Sequence, residues 1–380
     1  MKVLFDMTYC SAESRAGVII FAYRLLKGIY KIHKQKEVVL LLSEENVGIA
    51  QYEYLREFEF VVIPLAYGKI TDKIPHLRGL LNKKRLDKLI LKYGFSLFFS
   101  PCFFMHGLYT GRIPHIGVLH DAQGYILKKG QPLKGRVFRW RMNSLLNGVE
   151  HIITISNASK RIIQQVIHPV PEISVIYNSI DIKDDTKKID KSIEKLLDKP
   201  YILCVNALVA YKNFQTLIRA FALLRKEMKH YLIIKGVKTS YWTHTLEPLI
   251  CELGISDSVI LIDKTFNDDE MAMLYKKAVL FVSPSLMEGF GFTPIEAAMY
   301  ETSVITSGIP ALYETTLGLL TYYEPATDHI VLANAIKNVI DAPLSMEQKS
   351  LIAAKLKEKY SVAQQAKNYY EFFKSYKISE

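Results

Sequence analysis

The sequence predicts an α/β protein of two doubly wound, Rossmann-like domains facing a central cleft. Three observations predict it. Short apolar runs of strand type alternate with helical stretches along most of the 380 residues. The alternation comes in two successive halves, parted by a charged, aromatic-poor segment, Lys183 to Lys199, that reads as linker. Residues 284–298, P-S-L-M-E-G-F-G-F-T-P-I-E-A-A, set a glycine loop between an apolar strand and a helix start. The backbone of such a loop can approach a ligand closely, and the helix offers N–H groups to an anion. The expected domains are 1–180 and 200–360, joined by a linker at 181–199 and followed by a last helix at 361–380.

In the first half, Val3 to Phe5 reads as an opening strand rather than a signal peptide. Ala16-Gly17 then opens an apolar helix, Val18 to Ile29. Gly17 either serves an ordinary strand–helix turn or admits a ligand to the helix N-terminus. Val38 to Leu42 and Phe60 to Ile63 are further strands. Over Pro75 to Tyr93, helical spacing puts Leu86, Leu89, Ile90 and Tyr93 on one side and Lys84, Arg85, Lys88 and Lys92 opposite. Leu77, Leu80 and Leu81 fall on the basic side. Two readings fit: a helix lying on a membrane surface, or two short helices broken near Gly79 or Asn82 with those leucines in the core. Phe95 to Ser100 and His115 to Leu119 are strands, the second running into His120-Asp121. A histidine at the carboxyl end of a strand stands where α/β sheets bind ligands, though many such histidines are structural. Lys128 to Met142 is the densest basic patch, with Phe138 and Trp140 among Arg136, Arg139 and Arg141. It suits lipid headgroups, single-stranded nucleic acid or plain solvation. Ile152 to Ile155 is a strand, Ser156-Asn157 a cap, Ser159 to Val166 a helix and Ile173 to Tyr177 a strand.

The second half repeats the pattern. Tyr201 to Val205 is a strand, and V-A-Y-K-N (209–213) precedes a helix over Phe214 to Lys226. Asn213 can cap that helix. Lys212 beside its N-terminus is either a solvated loop lysine or a partner for a diphosphate. Tyr231 to Lys235 and Val259 to Ile262 are strands, Asn267 to Lys277 a helix and Ala278 to Val282 the strand entering the glycine loop. Ser303 to Thr306 is a strand, 307–310 a loop, and Leu332 to Ile340, Met346 to Tyr360 and Ala363 to Tyr376 are helices.

Within 284–298 the two glutamates differ. Thr293-Pro294-Ile295-Glu296 fits a capping box, with Thr293 as N-cap and Glu296 reaching back. Glu296 fits equally as an acceptor for ribose hydroxyls. Glu288 precedes the glycines and caps nothing. Two carboxylates around an N–H-rich loop suggest a sugar nucleotide.

E-G-F-G-F-T-P-I-E resembles the E-x7-E signature of glycosyltransferase family four, retaining enzymes of the GT-B fold. The resemblance implies that Glu288 contacts the donor sugar and that Gly289, Phe290, Gly291, Phe292 and Thr293 line sugar and phosphate. Glu296 then holds ribose. It also implies that His120 lies against the donor sugar and that Lys212, with Asn213 in a Lys-Asn step, meets the donor phosphate. Gly17 is what this chain keeps of the family's glycine-rich loop facing phosphate and acceptor. GT-B chains return their last helix to the N-terminal domain, and this one is suited to do so. Three departures stand out. Ser179 replaces glycine in the Asn178-Ser179-Ile180-Asp181 turn, no basic residue occurs in 206–211, and Tyr300-Glu301 stands where the family usually has Cys-Gly.

The implied reaction is retaining transfer of a hexose from a nucleotide sugar to a glycan or lipid-linked acceptor. No residue is an obvious nucleophile. No Asp-x-Asp triplet occurs in the sequence, so no metal and no cofactor beyond the donor are expected. Rival readings are a GT-B nucleotide-sugar epimerase and a basic, non-catalytic nucleic-acid or glycan binder. The four cysteines have no disulfide or metal spacing, which suits a cytoplasmic protein. Net charge is +11, and residues 1–180 hold 25 basic against 13 acidic side chains. That asymmetry suggests an anionic partner for that half, a membrane surface, nucleic acid or acidic glycan. The expectation taken is an anionic membrane surface, with the protein peripheral at the inner face of the membrane and without nucleic acid.

Overall fold

The computed structural model describes residues 1–11, 17–65, 75–102, 108, 110–120, 146, 148–183, 194 and 197–376, with the side chains of 75–79 left aside. Asp121, the side chain of Leu77, the 128–142 basic patch and most of the expected linker lie outside the described residues. The chain forms two units, Met1–Ser179 with Tyr360–Glu380, and Ile180–Lys359.

The first unit holds a parallel sheet of seven strands: β1 (Val3–Asp6), β2 (Val38–Ser43), β3 (Glu59–Ile63), β4 (Leu97–Ser100), β5 (His115–Val118), β6 (His151–Thr154) and β7 (Glu172–Val175). Their order is β3-β2-β1-β4-β5-β6-β7. Helices are α1 (Gly17–Lys31), α2 (Pro75–Tyr93) and α3 (Asn157–Val166). β1 and β2 are buried along their whole length. That explains their unbroken apolar runs, because a parallel sheet is covered on both faces. Val3 and Phe5 pack with Leu25 and Ile29 of α1, while Leu4 packs oppositely with Leu86 and Ile90 of α2. The two-residue period of a strand thus divides one sequence run between two cores. Ser156 caps α3 by accepting from the Ser159 N–H.

The Pro75–Tyr93 segment is one helix with no break at Gly79 or Asn82. The buried Leu86 and Ile90 hold it to the sheet, and Asn82 is buried too. Its opposite face is wet: Leu80 is 47% and Leu91 65% exposed, beside exposed Lys84, Arg85, Lys88 and Lys92. Leu80 is therefore not in the core. Tyr93, expected inward, is 45% exposed at the helix end.

The second unit holds six parallel strands: β8 (Tyr201–Val205), β9 (Tyr231–Lys235), β10 (Val259–Ile262), β11 (Leu280–Ser283), β12 (Val304–Ser307) and β13 (Thr321–Tyr323), ordered β10-β9-β8-β11-β12-β13. Its helices are α4 (Phe214–Leu224), α5 (Glu247–Glu252), α6 (Asp268–Lys276), α7 (Phe292–Met299), α8 (Pro310–Thr315), α9 (His329–Asp341) and α10 (Met346–Lys359). Asn267 and Glu270 form a capping box at α6. α4 ends at Leu224, two residues earlier than its pattern suggests. α5, α8 and β13 carry no sequence pattern strong enough to expect them.

The last helix, α11 (Val362–Ser375), packs on α1 in the first unit. Tyr369 and Phe373 join the Phe5, Phe21 and Phe99 core. The contact is close enough that a Cβ on Gly28 of α1 would overlap the Val362 carbonyl and Ala366.

Candidate active site

In the second sheet the strand order reverses between β8 and β11. Their carboxyl ends therefore open the crevice in which doubly wound sheets bind ligands. One loop leaves each strand there. From β8 the chain reaches a tight turn at Ala210–Lys212, then Asn213, then α4. From β11 it runs through Pro284 to Gly291 into α7.

The two loops are tied together. Leu286 N–H donates to the Tyr211 carbonyl at 2.9 Å. Lys212 Nζ meets Glu288 Oε1 at 2.7 Å, with the two side chains only 10% and 9% exposed. Ser285 Oγ donates to the same oxygen at 2.8 Å. Burial pushes the neighbouring Cys204 thiol up, so it stays protonated under this pair. Lys212 is thus not a solvated loop lysine. Its ammonium is held against a carboxylate, which fixes both groups while the pair lasts.

Asn213 occupies the N-cap position of α4 in the left-handed conformation (φ 57°), which asparagine tolerates. Its side chain does not cap. The amide donates to the carbonyls of Pro284 (3.1 Å) and Ala326 (2.8 Å), and Oδ1 accepts from Thr216 at 2.8 Å. Asn213 therefore clips three segments together.

Gly291 is the N-cap of α7, at φ 79°, and a Cβ there would strike Leu312. The left-handed backbone favours glycine, and a side chain there would also displace the tip of Leu312. The helix begins at Phe292, so Thr293 is already inside it and no capping box forms. Glu296 instead accepts from the buried Tyr275 hydroxyl at 3.0 Å. Desolvation by burial and the adjoining Glu296 carboxylate hold that phenol far above its ordinary range, so it remains a donor. Gly289 and Phe290 are buried, and Thr315 Oγ1 donates to the Phe290 carbonyl. Phe292 and Thr293 are half-buried.

The second unit thus brings together Lys212, Asn213, Glu288, the glycine loop and Glu296. Ser285 and Tyr275, which fix the carboxylates, are additions. Ser285 lies three residues before Glu288 and is open to a local reading. Tyr275 has no local signal.

In the first unit, His120 follows β5 and is half-buried. Its Nε2 lies 3.0 Å from the Pro101 carbonyl, and Phe21 packs edge-on at 4.7 Å. A carbonyl only accepts, so Nε2 carries the hydrogen and Nδ1 keeps its lone pair. Burial holds the imidazole down to about 4, outweighing the Pro101 bond, so it is neutral at pH 7. Gly17 begins α1, with open space where a Cβ would stand, so packing does not demand glycine there. Asp6, at the end of β1, was not singled out by the sequence. Burial raises its carboxyl to about 6 against the opposing bonds from Thr8.

Two family matches lie end to end along this chain. Residues 32–184 match the family described as Glycosyltransferase Family 4, and residues 185–357 match Glycosyl transferases group 1. The chain belongs to glycosyltransferase family four. Among this family-four chain's relatives, the O-antigen chain mannosyltransferase RfbU of Salmonella typhimurium is 32% identical over 208 residues. The alignment covers 54% of this chain, and the chain spans about half (55%) of that relative's length. Sucrose-phosphate synthase from Thermosynechococcus elongatus superposes with a TM-score of 0.70 at 16% identity, covering 99% of this chain and 100% of that one. HepE from Anabaena, in complex with UDP and glucose, gives 0.68 at 18% identity, covering 99% and 100%. These likenesses establish the GT-B fold.

The Tyr300-Glu301 departure from the family pattern has a conformational meaning. Glu301 sits at φ 63°, the left-handed region that favours glycine. Tyr300 stacks on Tyr275, 5.8 Å between ring centres, and so backs the residue that holds Glu296.

Proposed function

We propose that this protein is a retaining hexosyltransferase that moves a sugar from a nucleotide-sugar donor to a glycan or lipid-linked acceptor. The observation that carries the reading is the Lys212–Glu288 pair, 2.7 Å apart beside a glycine loop that leads into α7. In this reading the donor diphosphate takes over Lys212 and the first amides of α7. Glu288, released from the ammonium, turns its oxygens to the sugar hydroxyls. Charge develops on the leaving diphosphate in the transition state, so Lys212 and the loop amides supply most of the stabilisation. Glu296, steadied by Tyr275, takes the ribose hydroxyls. His120, neutral and with Nδ1 as acceptor, contacts the donor sugar, and Gly17 leaves room at the start of α1. No side-chain nucleophile is assigned, and the reaction proceeds on one face without a metal ion.

HepE is described with UDP and glucose, and RfbU is named a mannosyltransferase. UDP-glucose and GDP-mannose are therefore the first donors to test. A thermal-shift panel of sugar nucleotides is the experiment, because a ligand of the native state raises the melting temperature with its affinity. A donor that stabilises wild type but not Lys212→Ala supports the reading. Equal shifts in both proteins would remove Lys212 from it.

The exposed face of α2, with Leu80 and Leu91 among Lys84, Arg85, Lys88 and Lys92, supports a working place on an anionic leaflet. No described helix is long and apolar enough to cross a membrane. The reading is therefore of peripheral attachment at the cytoplasmic face, where lipid-linked acceptors are within reach.

A further inference from the structure

The second unit carries another polar cavity, of about 420 Å³, over the first turns of α4 and α9. Ala210 and Asn213 of the β8–α4 loop line it, with Gln215, Thr216 and Arg219 of α4 and Tyr241, Thr327 and His329. Its volume lies within the roughly 300–1,000 Å³ of small-molecule sites. Neither Lys212 nor Glu288 lines it.

Its chemistry is one-signed. No carboxylate occurs in the described lining, while Arg219 and His329 do. Arg219 is exposed and has no hydrogen-bond or ion-pair partner among the described residues. The nearby carboxylate, Asp328, is occupied by the N–H groups of Ile330 and Val331 at 2.8 and 3.0 Å. Tyr241 accepts from Gln215 Nε2 at 3.2 Å, which leaves the phenol proton to donate elsewhere. Two helices begin at this place, and α4 has no side-chain cap. The dipole of α4 adds to the same sign, whereas that of α9 is met by Asp328.

We infer that this cavity binds a phosphorylated small molecule, at a site that borders the β8–α4 loop at Asn213 but includes neither Lys212 nor Glu288. An arginine fork matches phosphate oxygens in bidentate fashion, and the uncapped start of α4 favours the dianion. Gln215, Thr327 and the Tyr241 hydroxyl are left for the hydroxyls of the organic part. The space exceeds what a bare phosphate needs, which favours a phosphate ester of sugar size.

Calorimetric titration with ribose 5-phosphate, and with free ribose as the uncharged control, tests the inference. Wild type and Lys212→Ala are expected to bind the ester alike and free ribose not at all. Arg219→Ala is expected to lose at least tenfold in affinity, and Arg219→Lys, which keeps charge without the fork, to fall between. Unaltered nucleoside diphosphate binding by Arg219→Ala would show that the variant is folded and that the two sites are separate. Ester binding that depends on Lys212 and not on Arg219 would overturn the inference, because the ester would then be entering the donor site. Absence of Arg219-dependent binding in the millimolar range would overturn it as well.

Discussion

A single carboxylate–ammonium contact dominates the residue scale. Glu288 and Lys212 are 76 positions apart, and their pairing is invisible to any local pattern. What the sequence offered was the company each keeps: Glu288 before two glycines, Lys212 before an asparagine and a helix. Glu288→Gln keeps a carbonyl oxygen to accept from Lys212 and Ser285 but removes the charge. The fold is expected to hold, and transfer to fall by about two orders of magnitude or more. Circular dichroism beside an initial-rate assay decides it, and activity within a few-fold of wild type would remove Glu288 from the mechanism. Glu296 was open to two readings from sequence because Thr293-Pro294 imitates a cap. The left-handed Gly291 starts the helix one residue before Thr293, and that backbone choice settles against the cap. Glu296→Gln should therefore raise donor KM while leaving the melting temperature nearly unmoved. A thermal effect with unchanged KM would point back to a structural role.

At the scale of elements, the strands were the most legible part, because burial on both faces writes them as unbroken apolar runs. The unanticipated elements have identifiable causes. α5 contains Pro248 and follows a π-type turn at Trp242–Leu246, so its period is disturbed. α8 opens on Pro310, and β13 is three residues long. α2 was legible in outline but not in continuity, since the helix runs through Gly79 without a break. Its outer face yields a prediction. Replacing Lys84, Lys88 and Lys92 together with glutamate should abolish cosedimentation with anionic liposomes, each lysine contributing about 1 kcal/mol. Wild type should bind these vesicles at low salt and release in high salt. Equal binding by the triple variant would show that α2 is not the contact. Glu301 gives a stability test. Its left-handed backbone costs roughly 1–2 kcal/mol for a side-chain-bearing residue, set against about 0.5–1 kcal/mol for glycine's entropy. Its side chain accepts a bond from Ser350, which is exposed. Glu301→Gly should stabilise by up to about 1 kcal/mol and Glu301→Val should destabilise, as read from urea midpoints.

On the scale of the whole molecule, buried titratable groups set the response to acid. His115 and His120 are held down to about 4 by burial, from an ordinary 6.5, and His151 and His230 move the same way. Between these values the unfolded chain binds more protons, so stability falls as pH falls. Asp6 opposes this, because its carboxyl, raised to about 6 from 3.8, takes a proton sooner in the folded state. Several imidazoles outweigh one carboxyl. Stability should drop by on the order of 2 kcal/mol from pH 7 to pH 5. A urea midpoint that is unchanged or higher at pH 5 would contradict this balance.

The seating of α11 against Gly28 also sets an order of events during synthesis. A ribosome delivers the first sheet early, yet the helix that covers Phe21 and Phe99 follows the whole second unit in the chain. The intervening unit, 180–359, is complete before then and can close on its own core. The usual N-terminal-first sequence of domain folding is thereby inverted. While the second unit is being made, the nascent first unit exposes an aromatic face over α1. Emergence of α11, rather than of the first sheet, is the step that ends this exposure.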